Sequence, residues 1–203
     1  MYIKNSVKHI TAAVIALLIT MVWCACGKNA HIRNEGQAEK QKVLIHADEP
    51  LYNSIESLAK QTDYIVLGEI VSKRCEARNL RVPNENDKIE DIALDESTAV
   101  TIYEVKVVNS YTPDPPLGMV LELMVLGGEY ETTSYILEDA PKLLVGNEYV
   151  FFLTKSQLFK NGVWLTNNSQ SAYIVDHERI SSVCNSGFDF TINELAKLHE
   201  DRD

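Results

Sequence analysis

Three places in the 203-residue sequence carry residue types at spacings that could do chemistry. The first is Ser57-Leu58-Ala59-Lys60, an S-x-x-K spacing that on a helix sets the lysine one turn from the serine, where an amine can take the hydroxyl proton and make a nucleophile. The S-D-N and K-T-G companions of that chemistry are missing, and isolated short motifs match mostly by chance. The second is the acidic run NENDKIED, Asn84 to Asp91; counted as a calcium loop it lacks Gly at the sixth position and has Asp95 rather than Glu at the twelfth. The third is the histidines His31, His46, His177 and His199, which form no H-E-x-x-H pair and have no cysteine at zinc-site spacing. The nucleophile elbow G-x-S-x-G and glycine-rich phosphate loops are absent as well. The sequence therefore assigns no catalytic residue, no metal ligand and no cofactor.

The four cysteines divide into two pairs. Cys75 and Cys184 lie in the body of the chain, too few for a disulfide scaffold. Two readings stay open for them: one bridge, if the domain folds outside the cytoplasm and the positions meet within disulfide geometry, or two separate small buried residues. Cys24 and Cys26 lie near the start, in LLITMVWCACGKN, residues 17 to 29.

That stretch closes the layout of an export signal. Lys4 and Lys8 form a positive start, Ile10 to Trp23 is uncharged and apolar, and the small residue Ala25 precedes Cys26. Cleavage after Ala25 by ordinary signal peptidase would put bulky Trp23 at the −3 position, where a small residue is needed. The sequence WCAC-GKN resembles instead the lipobox of bacterial lipoproteins, in which a small residue precedes a cysteine that is diacylated and becomes the mature N-terminus. The resemblance implies Cys26 as the lipid acceptor, since Cys24 follows Trp23; Trp23 stands where that family prefers an aliphatic residue. An uncleaved anchor is the competing reading, because the uncharged run from Ile10 to Gly27 approaches the roughly 20 residues that span a bilayer. Both readings keep the lysines inside and send the rest of the chain out.

Charge agrees with an exported domain. Lys4 and Lys8 are the only charged residues before Lys28, so removing residues 1–25 leaves 17 basic against 29 acidic residues, a net charge of −12. Such a surface repels phosphate backbones, which excludes nucleic acid as the expected partner. Gly27 to Gln41 then has Ile32 as its only large apolar residue and reads as a tether, letting a domain stand about 20 Å from the bilayer. The expected organisation is a signal peptide over 1–25, a tether over 26–41 and one domain over 42–203.

The body predicts a mainly β fold. A short helix is expected near 50–62, with Asn53 as N-cap and Glu56 closing a capping box, and with Ile55, Leu58 and Ala59 on one face. A long strand from Asp63 to Cys75 follows, broken by a bend or bulge at Gly68. Further strands are expected at Ser97 to Tyr111, Met119 to Gly127, Glu148 to Lys155, Gly162 to Thr166 and Ser171 to Asp176, separated by Pro-, Gly- and Asn-rich turns. Thr191 and Glu194 box the start of a C-terminal helix whose stripe is Ile192, Leu195, Ala196 and Leu198. The polar run Asn79 to Glu96 is expected as a long loop. Five or six punctuated strands argue for a small antiparallel OB-like barrel or sandwich.

The helix, TDYIVLGEIV, AVTIYEVKVV, the glycine pair Gly127 and Gly128 and VGNEYVFFL together resemble secreted bacterial domains related to the netrin-like, tissue-inhibitor-of-metalloproteinase type of OB barrel, over about residues 53 to 176. The inhibitors of that family chelate a catalytic zinc through an N-terminal C-x-C. Cys24-Ala25-Cys26 departs from this: a cut before Cys24 would leave Trp23 at −1, a polar tether separates Cys26 from the first strand, and the later cysteines are mostly absent. The expectation is a lipoprotein held to the membrane by Cys26 whose barrel binds a protein, peptide or glycan without catalysis; the alternative is an extracytoplasmic hydrolase or a protease-inhibitor-like domain. Tyr103, Tyr111, Trp164 and Tyr173 are the aromatics that would line either a binding face or the barrel core.

Overall fold

The computed structural model describes residues 40–80 and 97–200. All of them belong to one compact unit, Lys40–Asp203, and the leader, Cys26 and the run Asn84 to Asp91 lie outside the described residues. Eleven strands and two helices are described: β1 (Gln41–Ile45), α1 (Ile55–Lys60), β2 (Tyr64–Asn79), β3 (Ser97–Ser110), β4 (Val120–Leu126), β5 (Gly128–Tyr130), β6 (Thr133–Leu137), β7 (Glu148–Lys155), β8 (Gly162–Leu165), β9 (Ala172–Asp176), β10 (Arg179–Ser182), β11 (Phe190–Thr191) and α2 (Ile192–Glu200). The domain is mainly β, as its turn spacing implies.

Eight strands form one sheet in the order β11-β10-β9-β7-β2-β3-β4-β8, and a further pairing of β7 with β8 curls it into a partly closed ring of five strands, β7-β2-β3-β4-β8. Four of the five pairings in the ring are antiparallel. The fifth, β4 with β8, is parallel, with Glu122 opposite Gly162 and Met124 opposite Trp164. The second sheet is small, in the order β1-β6-β5, with β1 parallel to β6.

β2 bends where the sequence breaks. Its register against β3 shifts between Leu67 and Gly68 and again between Ile70 and Ser72, two bulges that curve a 16-residue strand around the ring. A methyl group on Gly68 would sit 2.3 Å from Val105 Cγ1, so only glycine lets β3 close over the bend.

β7 is buried on both faces, which explains its continuous apolar run. Phe151 and Leu153 point into the cluster shared by the five ring strands, with Val66, Ile70, Tyr103, Val105, Leu121 and Leu123. Val150 and Phe152 face the other way, where Leu58 of α1, Tyr173, Phe190, and Leu195 and Leu198 of α2 form a second cluster. Edge-to-face contacts among Phe152, Tyr173 and Phe190, with centroids 4.9 to 6.3 Å apart, knit it together. Each such fully buried side chain contributes about 2–3 kcal/mol.

Both helices start on capping boxes. In α1 the cap is Ser54, one residue later than expected, and its partner is Ser57 rather than Glu56. α2 starts as its sequence implies: Thr191 N donates to Glu194 Oε2 at 2.8 Å and Glu194 N donates to Thr191 Oγ1 at 3.3 Å. Leu195 and Leu198 are buried, whereas Ile192 and Ala196 at the margins of the stripe are exposed.

Candidate functional site

Alternation along the half-buried second half of β2 puts Ser72, Arg74, Glu76 and Arg78 on one face of the strand. The register sets Ser72 opposite Glu104 of β3, which is itself opposite Glu122 of β4. These side chains close into an ionic ring. Arg74 donates Nη2 to Glu122 and Nη1 to Glu104 at 3.3 Å, with Nε 3.5 Å from Glu76. Arg78 donates Nε to Glu76 and Nη2 to Glu122 at 3.4 Å. Ser72 Oγ donates to the remaining oxygen of Glu104 at 2.8 Å. The Glu122 carboxylate beside it holds the Arg74 guanidinium above its ordinary pKa, and Arg78 holds the Glu76 carboxyl below its own.

Beneath the ring lies a third apolar cluster of Val100, Ile102 and Met124, with Trp164 and Phe159 packed against it. Arg78 seals one side: its guanidinium carbon lies 4.5 Å from the centroid of the Phe159 ring, and Nη1 reaches Met124 Sδ at 3.6 Å. The turn after β7 is docked on β4 by Glu122 N donating to Asn161 O at 3.0 Å. Gly162 is required there, since an added Cβ would lie 2.7 Å from Phe159 Cβ.

Between that turn and the ring opens a shallow cleft of about 910 Å³. Its described walls carry Arg78, Asn79, Glu104, Glu122, Lys160 and Asn161, with Val120, Leu158 and Phe159 as apolar contacts. Its carboxylates and Arg78 are already engaged: Arg78 donates to Glu122, and Glu104 is held by Arg74 and Ser72. Chemically the arrangement offers a fixed array of planar donors and acceptors.

A second, smaller cavity of about 190 Å³ lies beside His46, Glu49, Glu138, Asp139 and Asn168. His46 Nδ1 is 2.8 Å from Glu138, and Glu49 accepts from Asn168 N at 2.7 Å and from its side-chain amide. Burial, reinforced by the nearby Asp139 charge, pushes the Glu49 carboxyl up. No group of three or more His, Cys, Asp or Glu among the described residues has the geometry to hold a metal ion.

The structure separates the residues the sequence singled out. Cys75 and Cys184 are both free thiols, so the bridge left open between them is not formed. Cys75 is wedged against Gly128, where an added Cβ would lie 2.6 Å from its sulfur. Cys184 instead packs beside the carbonyls of Asp139 and Asn168, at 3.8 and 4.0 Å. Burial raises both thiols above their ordinary pKa. Ser57 of the S-x-x-K spacing is consumed by its cap: its hydroxyl donates to Ser54 O at 2.7 Å and accepts from Ser54 N. His177 sits in the exposed turn between β9 and β10, at φ 57°. Tyr103 lines the ring interior and Tyr173 the helix-side cluster, with Tyr111 packed against the latter. Of the four aromatics only Trp164 borders the outer-face cluster next to the cleft. Sequence reasoning missed Arg74, Glu76, Arg78, Glu104 and Glu122, although the alternation of Ser72, Arg74, Glu76 and Arg78 already placed four polar groups on one strand face.

Fold and site together define a mainly β domain, a five-strand partly closed ring with two capping helices and a polar cleft on its outer face. No protein-family model, curated protein or solved structure matches the chain.

Proposed function

We propose that the chain is an extracytoplasmic lipoprotein, anchored through Cys26, whose domain is an OB-type barrel acting as a non-catalytic binding module. The strand order β7-β2-β3-β4-β8, closed by β7 with β8 and containing one parallel pair, is what an OB barrel of five strands requires, and it supports that finer reading of the fold. The observation that carries the functional reading is the cleft: Glu122 is held by Arg74 and Arg78, and Glu104 by Arg74 and Ser72, in fixed positions that suit recognition. The leader supports the location. Lys4 and Lys8, the apolar run to Trp23 and the Ala25-Cys26 step are what a lipoprotein signal needs, and two acyl chains on one cysteine hold a protein durably at about 0.8 kcal/mol per buried CH₂. Among the described residues no helix is long and apolar enough to cross a membrane; the run Ile10 to Gly27 lies outside them.

Mass spectrometry of the membrane-extracted chain tests the anchor. A diacylglyceryl group on Cys26, lost in Cys26→Ala, is the expected result, and retention of residues 1–25 would replace it with an uncleaved span. Pull-down of surface partners by the full chain, compared with Asn161→Arg in the cleft, tests the binding role.

A further inference from the structure

The cleft also constrains what it can hold, and this step rests on the binding-module reading above. Six of its nine described lining residues are charged or amide-bearing: Arg78, Asn79, Glu104, Glu122, Lys160 and Asn161. Among these described residues two positive charges stand against two negative ones, so the described walls are balanced. An anionic ligand would meet Glu104 and Glu122, and would have to compete with Glu122 for Arg78, which already donates to it at 3.4 Å. A cationic ligand would face Arg78 and Lys160 and find both carboxylates engaged, Glu104 by Ser72 and Arg74, Glu122 by Arg74 and Arg78. Either ion would have to shed water for a site that returns no net Coulomb attraction.

The seat of a protein partner differs in another way. Protein interfaces concentrate apolar and aromatic residues at a centre depleted of charge, with polar groups at the rim. Here three members of the charged ring, Arg78, Glu104 and Glu122, line the cleft, and the described apolar contacts number three, Val120, Leu158 and Phe159. The ring also fixes its side chains before any ligand arrives, so little rotamer entropy is lost when they accept or donate a hydrogen bond. Arg78, Glu104 and Glu122 held in place, the balanced charges of the described walls and the small apolar surfaces beside them match a ligand that is itself neutral, rich in hydroxyls and apolar on its C–H faces.

We infer that the cleft between the β2–β3–β4 face and the 156–161 turn binds a neutral oligosaccharide. Sugar hydroxyls donate to the lone pairs that Glu104 keeps beyond its bonds to Ser72 and Arg74 and pair with the side chains of Asn161 and Lys160, and the C–H face of a sugar ring rests on Val120 and Leu158. The association is carried by hydrogen bonds and contact, so it is insensitive to salt.

Full-length protein in detergent micelles, titrated by calorimetry against a panel of neutral hexose and N-acetylhexosamine oligomers, tests this, with acidic oligosaccharides and a peptide library as parallel panels. The expected result is binding within the neutral panel that changes less than about threefold between about 0.05 and 0.5 M salt. In Asn161→Ala and Glu104→Gln it weakens by about tenfold, the worth of one to two hydrogen bonds, with an unchanged melting temperature for the exposed Asn161→Ala. Binding confined to the acidic panel, or binding that falls steeply with salt, overturns the inference. Binding of peptides alone that is lost in the same two variants also overturns it and leaves the binding-module reading standing. Failure of all three panels overturns it as well, and the surface pull-down then judges the broader reading separately.

Discussion

Asn167, in the turn after β8, donates its side-chain amide to the carbonyl of Pro50, which lies 117 residues earlier in the chain, at 2.9 Å. Its carbonyl oxygen accepts from Ser169 N, Ser169 Oγ and Gln170 N at 2.9 to 3.0 Å. The residue is buried, and the turn it organises carries the rest of a latch. Asn168 binds Glu49, while Gln170 exchanges bonds with both backbone groups of Tyr52 and donates to Ser186 O. One loop therefore ties the segment before α1 to the segment after β10.

Truncating that hub removes several bonds at once and strands their partners. Asn167→Ala removes the donor to Pro50 O and the acceptor of Ser169 N and Ser169 Oγ, and leaves Gln170 N only its long bond to Asn167 O at 3.4 Å. The expected cost is about 2–4 kcal/mol, read as a lower urea midpoint with an unchanged slope. A loss under about 0.5 kcal/mol would mean that water replaces the side chain and that the latch is loose.

Glu49 in the same latch gives a pH dependence whose sign follows from its surroundings. Burial is the largest influence and raises its folded pKa above the ordinary value, so the folded state holds its proton more tightly than the unfolded chain does. Stability therefore falls as pH rises through the window between the unfolded and the folded pKa, and the penalty is fully present above it. Glu49→Gln removes the penalty, and a half-turn of the Asn168 amide restores two complementary bonds to Gln. The variant is expected to equal or exceed the wild type at neutral pH, by up to about 1 kcal/mol, with the difference vanishing in acid below the ordinary carboxylate range. Thermal unfolding at a series of pH values checks both the sign and the window.

What the sequence could reveal follows from which signals are local. β2, β3, β4, β7, β8 and β9 are legible because each is an apolar or alternating run bounded by Gly, Pro or Asn, and the Thr191/Glu194 box announces α2 from four residues ahead of its first buried leucine. β5, β6 and β10 escape the same reading. Their hairpins turn on Glu131 and His177, non-glycine residues at φ 51° and 57°, where no Asn-Gly or Asp-Gly pair marks the turn. β1 escapes for a different reason: its partner is β6, parallel and some ninety residues later, with Val43 opposite Tyr135, and long-range pairing leaves no mark on local composition. The cleft was half visible. Ser72, Arg74, Glu76 and Arg78 alternate in plain sequence, but Glu104 and Glu122 join them only through register, which two bulges in β2 decide.

One of those bulges can be tested by a volume exchange. Gly68→Ala drives a methyl group into Val105 Cγ1, 2.3 Å away, and is expected to cost about 1–3 kcal/mol by overpacking. Val105→Ala alone opens a cavity in the ring interior and costs a similar amount. Combined, the added methyl occupies part of the space the valine leaves, so the double variant is expected to be more stable than the sum of the two losses by at least about 1 kcal/mol. Strict additivity, measured by urea unfolding of all four proteins, would show that the strand moves away from Val105 instead of pressing on it.

The last test separates charge from cover at the ionic ring. Arg78 does two things at once: its guanidinium bonds Glu76 and Glu122, and its stem and planar head lie over Phe159 and Met124, with only 16% of the side chain exposed. Partly exposed ion pairs are worth little, commonly under about 1 kcal/mol, and salt screens them further. Apolar cover does not weaken in that way. Arg78→Met keeps a long stem over Phe159 and leaves Glu122 and Glu76 to Arg74, so it is expected to cost less than about 1 kcal/mol, with the deficit shrinking in about 1 M salt. Arg78→Ala uncovers the Val100, Ile102 and Met124 cluster and is expected to cost about 2 kcal/mol, nearly independent of salt. If the two variants lose the same amount and both recover in salt, the ring acts through charge alone and the apolar patch beneath it needs no cover from Arg78.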